Sequence, residues 1–535
     1  MNEYPVAIVG GGPSGLFAAL LLGRLGVKCL VIDRRNAPLD HPRAMGVTRR
    51  TGEIYRSLGI FDTMMEPHRS RPDMGDLAVW CRGLTGEVLG RTPLPPPEPM
   101  LSPCEGFSCP QPHTEKTLRE AALATGQVEI KFSMLLTAIS DNPAAGSVEL
   151  TGRDVDDRYE WRFHAKFVLG ADGARSSVRH MLGIETDGPG DLGHYLNSYF
   201  EAPITERIGR APAILTQSIV DENFGVFVAV DGRRRWLMHR FLEPGETVQD
   251  YPVERITALI AATAGLPDLP IDVISMDPWV MSPKISTEFR RGRIFLVGDA
   301  ATRLSPAGGL GLNNGLQGVH NLIWKVAMVY HGQAGWGLLD TYQTERMKIA
   351  TDVLSRSVGN SGEATAIVKA AMEERWEEAR ALAGNSVRAG SRLGLELGYH
   401  YHSKAMVPEE EPWPELNDPV NDFIPSARSG GRMPHVWLDD AKEHSILDEF
   451  HDDFVLVSGG DGDEGWRGQV EALQPKFSKG VGLRMLSLGN EPRHLSTYGI
   501  ESKGAVLVRP DGMVAWRCRS GDEELAPVLK KILIQ

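Results

Sequence analysis

A strand–turn–helix–strand pattern near the amino terminus constrains the fold more than any other part of the chain. From Val6 the sequence reads VAIVGGGPSGLFAALLLGRLGVKCLVIDRR, which is an apolar strand, a glycine-rich turn, an apolar helix and a second strand that ends in an acid. Spaced glycines in such a unit permit a tight turn, a close approach of phosphates to the backbone, and close packing of the helix on the strand. The first N–H groups of the helix suit a pyrophosphate. The pattern therefore predicts an α/β domain that binds a dinucleotide at Gly10, Gly12 and Gly15, with Asp33 accepting a hydrogen bond from a ribose hydroxyl.

The length and charge of the chain fit a large soluble protein without a nucleic-acid partner. Its 535 residues are too many for one hydrophobic core and suggest roughly three domains. The net charge is −13 and no basic run stands out, which argues against nucleic-acid binding. Four glycines break the apolar run from Val6 to Leu22, so it is predicted to be neither a signal peptide nor a membrane span. We therefore expect no membrane association and a cytoplasmic location.

The cysteines predict neither disulfides nor a metal site. The chain has five, an odd number that is scattered along it: Cys29, Cys81, Cys104, Cys109 and Cys518. Cys104 and Cys109 are close in sequence but have no second pair of metal ligands nearby. We interpret all five as structural thiols and expect no metal.

A second glycine-rich segment lies far along the chain, at residues 291–325. It reads RGRIFLVGDAATRLSPAGGLGLNNGLQGVHNLIWK, which joins an apolar strand to a Gly-Asp pair, a Pro-Ala-Gly-Gly-Leu-Gly loop and a helix. Such a loop lets the backbone approach a planar anionic ligand, and the start of the helix offers N–H groups that stabilise negative charge. Alone, the segment is equally compatible with an ordinary strand-to-helix turn.

A third strand-to-turn segment completes a recognisable order. FVLGADGARSSVRHMLGI places Asp172 at the end of an apolar strand, and Arg43 and Gln111 lie between the first and third segments. In this order the chain, from Val6 to about Tyr399, resembles the group A flavin-dependent monooxygenases, the aromatic hydroxylases related to phenol hydroxylase and p-hydroxybenzoate hydroxylase. Its finer detail, GGLGLN followed by HNLIWKV, looks like the branch typified by 2,4-dichlorophenol 6-monooxygenase.

The resemblance implies that FAD is the cofactor and NADPH or NADH the co-substrate. Matching the family's motifs, the residues that contact FAD would be Gly10, Gly12, Pro13, Ser14, Gly15, Asp33, Arg34, Arg43, Gln111, Asp172, Asp299, Pro306, Gly309, Gly311, Leu312 and Asn313. Among these, Asp299 would bind the ribityl chain. The loop from Pro306 to Asn313 would border the flavin ring, where N–H groups at a helix start stabilise charge on the reduced flavin.

The resemblance also implies the reaction. The protein would hydroxylate a phenolic or polycyclic aromatic small molecule with dioxygen, through a C4a-hydroperoxyflavin, while excluding water from the site. Two alternatives share the scaffold: a Baeyer–Villiger or epoxidising monooxygenase, and a protein that binds flavin and an aromatic ligand without turnover.

Three positions depart from the family's pattern. The family usually has His where this chain has Thr302, and Asp is common where Gly318 stands. Related phenol hydroxylases place an Asp or His two residues after the equivalent of Arg43, where this chain has Met45. No acid–base residue can therefore be transferred to Met45.

The catalytic residues are consequently unknown from sequence. His239 and Arg240, in the strand-like RRWLMHRFL, are candidate groups on the substrate side, although an ordinary sheet histidine and a solvated arginine are the commoner interpretation. His113 is a similar candidate at a helix start. Trp279 is predicted to close the pocket or simply to pack against it.

The pattern of elements predicts a Rossmann-like FAD-binding domain from residues 1–182 and 285–400, of mixed α/β and α+β class. Alternating apolar and polar positions predict an antiparallel-sheet substrate domain at 183–284. A proline-rich acidic stretch at 401–424 is a predicted linker. Residues 425–535 resemble the thioredoxin-like carboxy-terminal domain of phenol hydroxylase relatives. Without a Cys-x-x-Cys motif this domain is predicted to serve packing or dimerisation, so a homodimer is expected.

Overall fold

The protein is described here by a computed structural model of residues 3–385 and 392–535. Residues 386–391, within the predicted 285–400 segment, lie outside the described residues. The strands are β1 (Glu3–Val9), β2 (Cys29–Ile32), β3 (Gly46–Val47), β4 (Asp76–Cys81), β5 (Val88–Thr92), β6 (Phe107–Ser108), β7 (Val128–Lys131), β8 (Met134–Asn142), β9 (Ser147–Asp154), β10 (Glu160–Gly170), β11 (Thr186–Asp187), β12 (Gly193–Glu201), β13 (Ala213–Val220), β14 (Asn223–Ala229), β15 (Arg235–Phe241), β16 (Asp272–Met281), β17 (Lys284–Ser286), β18 (Arg290–Arg291), β19 (Ile294–Leu296), β20 (Thr302–Arg303), β21 (Asp453–Ser458), β22 (Gly482–Ser487), β23 (Ala505–Val508) and β24 (Val514–Cys518).

The α-helices separate these strands or follow them. They are α1 (Pro13–Arg24), α2 (Arg49–Ser57), α3 (Phe61–Arg69), α4 (Gln111–Ala124), α5 (Ser177–Met181), α6 (Ile204–Arg207), α7 (Val253–Ala264), α8 (Gly311–Tyr330), α9 (Asp340–Met372), α10 (Trp376–Asn385), α11 (Leu393–Leu397), α12 (Asp463–Leu473), α13 (Pro492–Tyr498) and α14 (Leu525–Ile532). No helix of the described residues is long and apolar enough to cross a membrane.

The first sheet has the order β18-β19-β10-β1-β2-β7, and β1, β2, β7, β10 and β19 run parallel to one another. The carboxyl-terminal halves of β1 and β10 and all of β2 and β19 are apolar and buried, as expected where both faces of a parallel sheet are covered. Val9 of β1 pairs with Gly170 of β10, which pairs in turn with Leu296 of β19. The three motifs that are far apart in sequence therefore follow adjacent strand ends. This confirms the predicted α/β fold.

A second sheet has the order β16-β12-β15-β14-β13-β4-β5 and is antiparallel except for the parallel pair β13–β4. Helix α7 covers one face, over a core that includes Leu196, Phe200, Trp236 and Met238. Two of its strands, β4 and β5, lie outside the 183–284 range from which the sequence predicted a sheet. They join it because the edge of β13 needs a partner for its N–H and C=O groups.

The carboxy-terminal sheet has the order β22-β21-β23-β24, with β21 parallel to β22 and antiparallel to β23. Helix α12 joins the parallel pair, and a turn around Gly512, whose φ is +73°, joins β23 to β24. The domain is thus a βαβ unit, helix α13, a hairpin and a final helix, and its thioredoxin-like character stays a prediction of the sequence. The segment 401–424 has no helix or strand, yet Tyr401 and Met406 in it are buried.

Candidate functional site

The glycine-rich turn after β1 is held in its shape by the protein itself. Gly10 has a φ of +111°, and a Cβ there would lie 2.3 Å from the carbonyl oxygen of Ala171. A Cβ on Gly15 would lie 1.9 Å from the carbonyl oxygen of Gly10. Around Gly12, by contrast, a Cβ would meet nothing within 4 Å. The chain therefore needs glycine at two positions for its own packing, and the third leaves open space where a ligand can approach the backbone.

The start of α1 offers donors to that open space. The first backbone bond of the helix runs from the N–H of Leu16 to the carbonyl of Gly12, at 2.9 Å. The N–H groups of Ser14 and Gly15 precede it, and Pro13 occupies the first position, where an N–H has no partner within the helix. The first turn of α1 contains no acidic residue. This arrangement suits the pyrophosphate of a dinucleotide.

Asp33 is oriented at the end of β2 by its neighbours. Its Oδ2 accepts from the N–H of Gly11 at 2.7 Å and from Nη2 of Arg35 at 2.9 Å, and its Oδ1 accepts from the N–H of Arg35 at 2.7 Å. Arg35 also pairs with Glu115. Arg34, which the sequence placed beside Asp33, is exposed. The guanidinium that fixes Asp33 is thus that of Arg35, which sequence reasoning missed because both neighbours of the acid are arginines.

Gln111 and Arg43 lie on either side of this arrangement. Gln111 begins α4 and donates from Nε2 to Oε1 of Glu115 at 2.8 Å. Glu115 is buried, so Gln111 and Arg35 meet on one carboxylate. Arg43 is exposed on the loop before β3. Gln111 is therefore fixed in place, whereas the Arg43 side chain faces solvent.

Asp172 and Asp299 follow the adjacent strands β10 and β19. The Oδ2 of Asp172 accepts from the hydroxyl of Ser177 and the N–H of Val178, at 2.9 and 3.0 Å, while its Oδ1 is buried without a partner among the described residues. Asp299 keeps surface accessible to solvent, yet the surrounding protein desolvates its carboxyl group, which is the combination expected of a side chain in a cleft. Burial raises the pKa of Asp299, and Arg303 opposes that shift. Two carboxylates with free acceptor positions in a cleft fit a ligand rich in hydroxyl groups.

The loop before α8 leaves its N–H groups free for a ligand. Gly308 and Gly309 have φ values of +110° and +64°, and the N–H of Gly309 donates to the carbonyl of Pro306 at 2.9 Å. The first backbone bond of α8 is donated by the N–H of Asn314 to the carbonyl of Leu310 at 2.9 Å. The N–H groups of Gly311, Leu312 and Asn313 precede that bond.

The side chain of Asn313 ties this loop to the segment around β3. Its Nδ2 donates to the carbonyls of Gly46 and Gly309, both at 2.9 Å, and its Oδ1 accepts from the N–H of Thr48 at 2.9 Å. Asn313 is buried. Its side chain therefore positions the loop, and only its backbone remains for the ligand.

The face of the second sheet opposite α7, which we call the inner face, packs against α9 and α10 at β5 and β13. Its remaining part, on β12, β14 and β15, lies over this loop. Met45 packs against Tyr199, Val228 and Leu237 of the inner face, and it directly precedes the Gly46 that Asn313 holds. At another point the hydroxyl of Ser305, in the segment before the loop, donates to Sδ of Met281 at 3.3 Å. The space between the inner face and the loop is therefore the candidate substrate site.

A row of polar side chains crosses the inner face on three adjacent strands. Asp277 of β16 pairs with Asn197 of β12, which pairs with His239 of β15. We call these three residues the polar row. His41 lies beside it, with Nε2 at 3.5 Å from Nδ2 of Asn197 and 3.8 Å from Oδ2 of Asp277. Buried atoms without partners among the described residues are Nδ1 of His41, Oδ1 of Asn197, Nδ1 of His239 and Nε1 of Trp279.

These partnerless atoms mark a place for polar groups of a ligand. Each buried donor or acceptor left unpaired costs about 1–3 kcal/mol, so a cluster of them is unusual in a folded protein. Burial lowers the pKa of His239 to about 4, with a smaller contribution from His41. Burial also lowers the pKa of His41, while Asp277 opposes and Arg43 adds to that shift. Both imidazoles are therefore neutral near pH 7 and can accept a hydrogen bond.

The other candidates from the sequence lie in different places. Trp279 is on the inner face and stacks on Tyr195, with ring centroids 4.7 Å apart. Arg240 points to the opposite face, where it hydrogen-bonds Tyr251, because side chains alternate along β15. His113, in α4, lies within hydrogen-bonding distance of the carbonyl of Thr63, 2.7 Å from its Nε2. Because side chains alternate between the two faces of a strand, the sequence RRWLMHRFL alone could have shown that His239 and Arg240 point to opposite faces.

Sequence reasoning missed three residues of this site: His41, Asn197 and Asp277. Asn197 and Asp277 meet His239 only through the pairing register of three strands, which no local pattern reports. His41 reaches the row from a loop. Only the alternation in LNSYF, which puts Asn197 on the same face as Tyr195 and Tyr199, offered a signal.

Comparison of the sequence with known proteins identifies the family. Residues 3–357 match the family described as FAD binding domain, and residues 426–534 match the family described as aromatic-ring hydroxylase, C-terminal. The chain is 32% identical to tetracenomycin A2 monooxygenase-dioxygenase of Streptomyces glaucescens, over 99% of this chain and 96% of that protein. It is 31% identical to a putative polyketide hydroxylase of Streptomyces halstedii, over 100% of this chain and 97% of that protein.

A solved structure supports the same assignment. The flavin-dependent monooxygenase PieE, solved in complex with FAD and substrate, superposes with a TM-score of 0.91 at 29% identity, covering 100% of this chain and 99% of that one. The match extends over both family segments and all three motif-bearing strand ends. The chain therefore belongs to the FAD-dependent aromatic-ring hydroxylases.

Proposed function

We propose that this hydroxylase acts on a polycyclic phenolic compound, with NADPH or NADH as reductant and dioxygen as the second substrate. The observation that carries the proposal is the inner face, where a wide apolar and aromatic wall surrounds the polar row. Tyr195, Leu215, Val226 and Trp279 keep part of their surface exposed on this wall, as pocket-lining residues do. Relatives named for polyketides and for tetracenomycin support a fused-ring substrate.

We propose further that the three motifs hold FAD. The residues that contact FAD would be those predicted from the sequence, with Gly10, Gly12 and Gly15 at the pyrophosphate and Asp299 at the ribityl chain. Arg35 joins them as the residue that orients Asp33. When bound and reduced, FAD supplies the activation of dioxygen for oxygen insertion into an aromatic ring.

The residues of this chain bind the substrate, orient it and shield it from water. The wall excludes water from the ring to be hydroxylated. The polar row forms hydrogen bonds with the oxygen atoms of the substrate. These bonds determine which ring carbon faces the loop from Pro306 to Asn313. The neutral His239 and His41 are acceptors for a phenolic hydroxyl.

The cellular location and the oligomeric state of the protein are proposals as well. The five cysteines are free and buried, as in proteins of a reducing compartment, and pyridine nucleotides are supplied in the cytoplasm, which supports a cytoplasmic enzyme. The homodimer stays a prediction of the sequence.

A substrate panel tests the proposed function. The FAD-loaded protein is supplied with NADPH or NADH, isotopically labelled dioxygen, and either fused-ring phenols or simple phenols. We expect labelled hydroxylated product from the fused-ring compounds at a higher kcat/KM than from phenol. Equal or better turnover of phenol would contradict the proposed substrate class. Hydride consumption without labelled product would contradict hydroxylation of these compounds.

Flavin retention separates the cofactor residues from the substrate residues. Asp299→Ala removes a carboxylate that lies in the proposed ribityl cleft, whereas His239→Ala alters the inner face only. We expect Asp299→Ala to retain far less FAD, with affinity reduced about 10- to 100-fold, measured as flavin absorbance per protein after gel filtration. Equal flavin content in the two variants would count against the assignment of Asp299.

Substrate affinity tests the polar row. Asn197→Ala and His239→Ala each remove a proposed partner for a substrate oxygen, so we expect KM to rise about 5- to 100-fold with FAD content unchanged. His194→Ala is the matched control, because His194 lies on β12 but is exposed and points to the opposite face from Asn197. A KM that rises equally in His194→Ala, or in none of the three, would rule the row out as the binding site.

A further inference from the structure

A small cavity lies between α8, α9 and the segment that follows β19. Its lining includes Thr302, Asn314, Gly318, Tyr342 and Arg346, and we call it the Gly318 cavity. It leaves about 10 Å³ for the centre of a water-sized sphere, which is about the lower limit for one bound water molecule. None of the N–H groups proposed for the FAD pyrophosphate lines it.

Two of the three departures from the family's pattern line this one cavity. Thr302 stands where the family usually has His, and Gly318 stands where Asp is common. A Cβ on Gly318 would lie 3.8 Å from Nε of Arg346 and 3.8 Å from the hydroxyl of Tyr342. The space that a side chain at position 318 would occupy is therefore the space in front of the Arg346 guanidinium.

Arg346 is a buried cation, and its hydrogen-bond acceptors and aromatic contacts among the described residues are all neutral. It is 2% exposed. Its Nη1 donates to the hydroxyl of Tyr401 at 3.0 Å, and its Nη2 donates to Oδ1 of Asn314 at 2.7 Å. The rings of Tyr399 and Tyr401 lie 5.7 and 6.0 Å from the guanidinium carbon. Among the residues that the structure describes, Nε has no acceptor within hydrogen-bonding distance and no carboxylate lies within 4.0 Å of Arg346.

Other buried arginines of the protein are paired with buried carboxylates. Arg432 donates to both oxygens of Glu53, and Arg509 donates to both oxygens of Glu345; all four side chains are fully buried. An arginine cannot lose its proton in a protein, and a buried charge without a counter-charge is strongly unfavourable. The faces of tyrosine rings compensate it only in part.

We propose that the Gly318 cavity binds a small monovalent anion, such as chloride, as the counter-charge of Arg346. The anion accepts from Nε of Arg346, and the amide Nδ2 of Asn314 and the hydroxyl of Thr302 are further donors in the lining. A water molecule would fill the same volume but would not neutralise the charge. In this protein the anion neutralises the charge of Arg346, as a carboxylate at position 318 would.

Thermal unfolding of the FAD-loaded protein tests the site. The Tm is measured in sodium chloride and in sodium gluconate at equal ionic strength, because gluconate is too large for the cavity. We expect a Tm about 1–3 °C higher in 100 mM chloride, since a ligand of the native state alone raises its stability. Crystals grown in bromide should show an anomalous peak in the Gly318 cavity. Equal Tm values, or bromide crystals without that peak, would overturn the proposal and leave water as the occupant.

Two substitutions show whether the effect arises at this cavity. Gly318→Asp places a carboxylate beside Arg346, so we expect its Tm to be the same in both salts and above that of the unmodified protein in gluconate. Gly362→Asp, on the exposed side of α9 where a Cβ would meet nothing within 4 Å, adds the same charge elsewhere and should keep the chloride effect. A chloride effect that persists in Gly318→Asp would place the anion elsewhere. Should Gly318→Asp fail to fold, the bromide peak still decides.

Discussion

We expect Gly15→Ala to weaken FAD binding and destabilise the protein, whereas Gly12→Ala should weaken FAD binding and leave the apoprotein no less stable than before. The difference follows from the space around each glycine. A methyl group on Gly15 would lie 1.9 Å from the carbonyl oxygen of Gly10, so α1 must move away from the turn. Overpacking of this kind costs about 1–3 kcal/mol, occasionally more. A methyl group on Gly12 meets no atom of the chain, and its φ of −77° is open to alanine.

The Gly12 methyl group instead occupies the space proposed for the pyrophosphate. Losing a charge-assisted hydrogen bond there reduces FAD affinity about 10- to 100-fold. Flavin titration and thermal unfolding of the apoprotein measure the two effects separately. Gly465→Ala is the matched control, since Gly465 is exposed on α12 with nothing within 4 Å of its Cβ. Alanine favours the helix there, so this variant should lower neither FAD affinity nor stability. Normal FAD affinity in Gly12→Ala would show that the cofactor does not approach this turn.

The motifs and the fold around them were predictable because each is local. A glycine pattern, a strand and a helix start are read within 30 residues, and the parallel register that brings Gly10, Asp172 and Asp299 together follows from the α/β fold. The choice between Arg34 and Arg35 was not predictable, since either side chain can reach an acid at a strand end. The polar row was not predictable either. It depends on which residues face each other across β16, β12 and β15, and pairing register leaves little trace in a single sequence.

The carboxy-terminal domain was predicted to serve packing or dimerisation, and the structure shows which of its residues contact the rest of the chain. Arg509 of the turn after β23 donates from Nη1 to Oε1 of Glu345 on α9 at 2.8 Å. Lys325 of α8 donates to the other oxygen of Glu345 at 2.7 Å. The three side chains are fully buried. Helix α8 begins at the loop from Pro306 to Asn313, which is proposed to border the flavin, so the buried charges connect this domain to the helix that follows that loop.

Arg509→Met should therefore be among the most destabilising single changes in the protein. It leaves Glu345 buried with Lys325 as its remaining cationic partner, and it also removes the buried pair between Arg509 and Asp511. Breaking a buried ion pair by removing one partner costs about 3–5 kcal/mol. Chemical denaturation at pH 8 measures the loss. Arg519→Met is the control, because the Arg519–Glu411 pair also joins the carboxy-terminal domain to the segment before it but is half exposed, so its removal should leave stability unchanged.

The pH dependence of the same variant identifies the cause. Burial alone would raise the pKa of Glu345, but Arg509 and Lys325 together hold it well below its usual value. A carboxyl group with a lowered pKa contributes stability above its unfolded pKa of about 4.3 and loses it as the pH falls. Without Arg509 the pKa of Glu345 rises, so its protonation relieves the uncompensated charge as the pH is lowered. We expect the stability difference between the unmodified protein and Arg509→Met to shrink between pH 8 and pH 5. A difference that stays constant over that range would mean that lost packing, not lost charge, destabilises the variant.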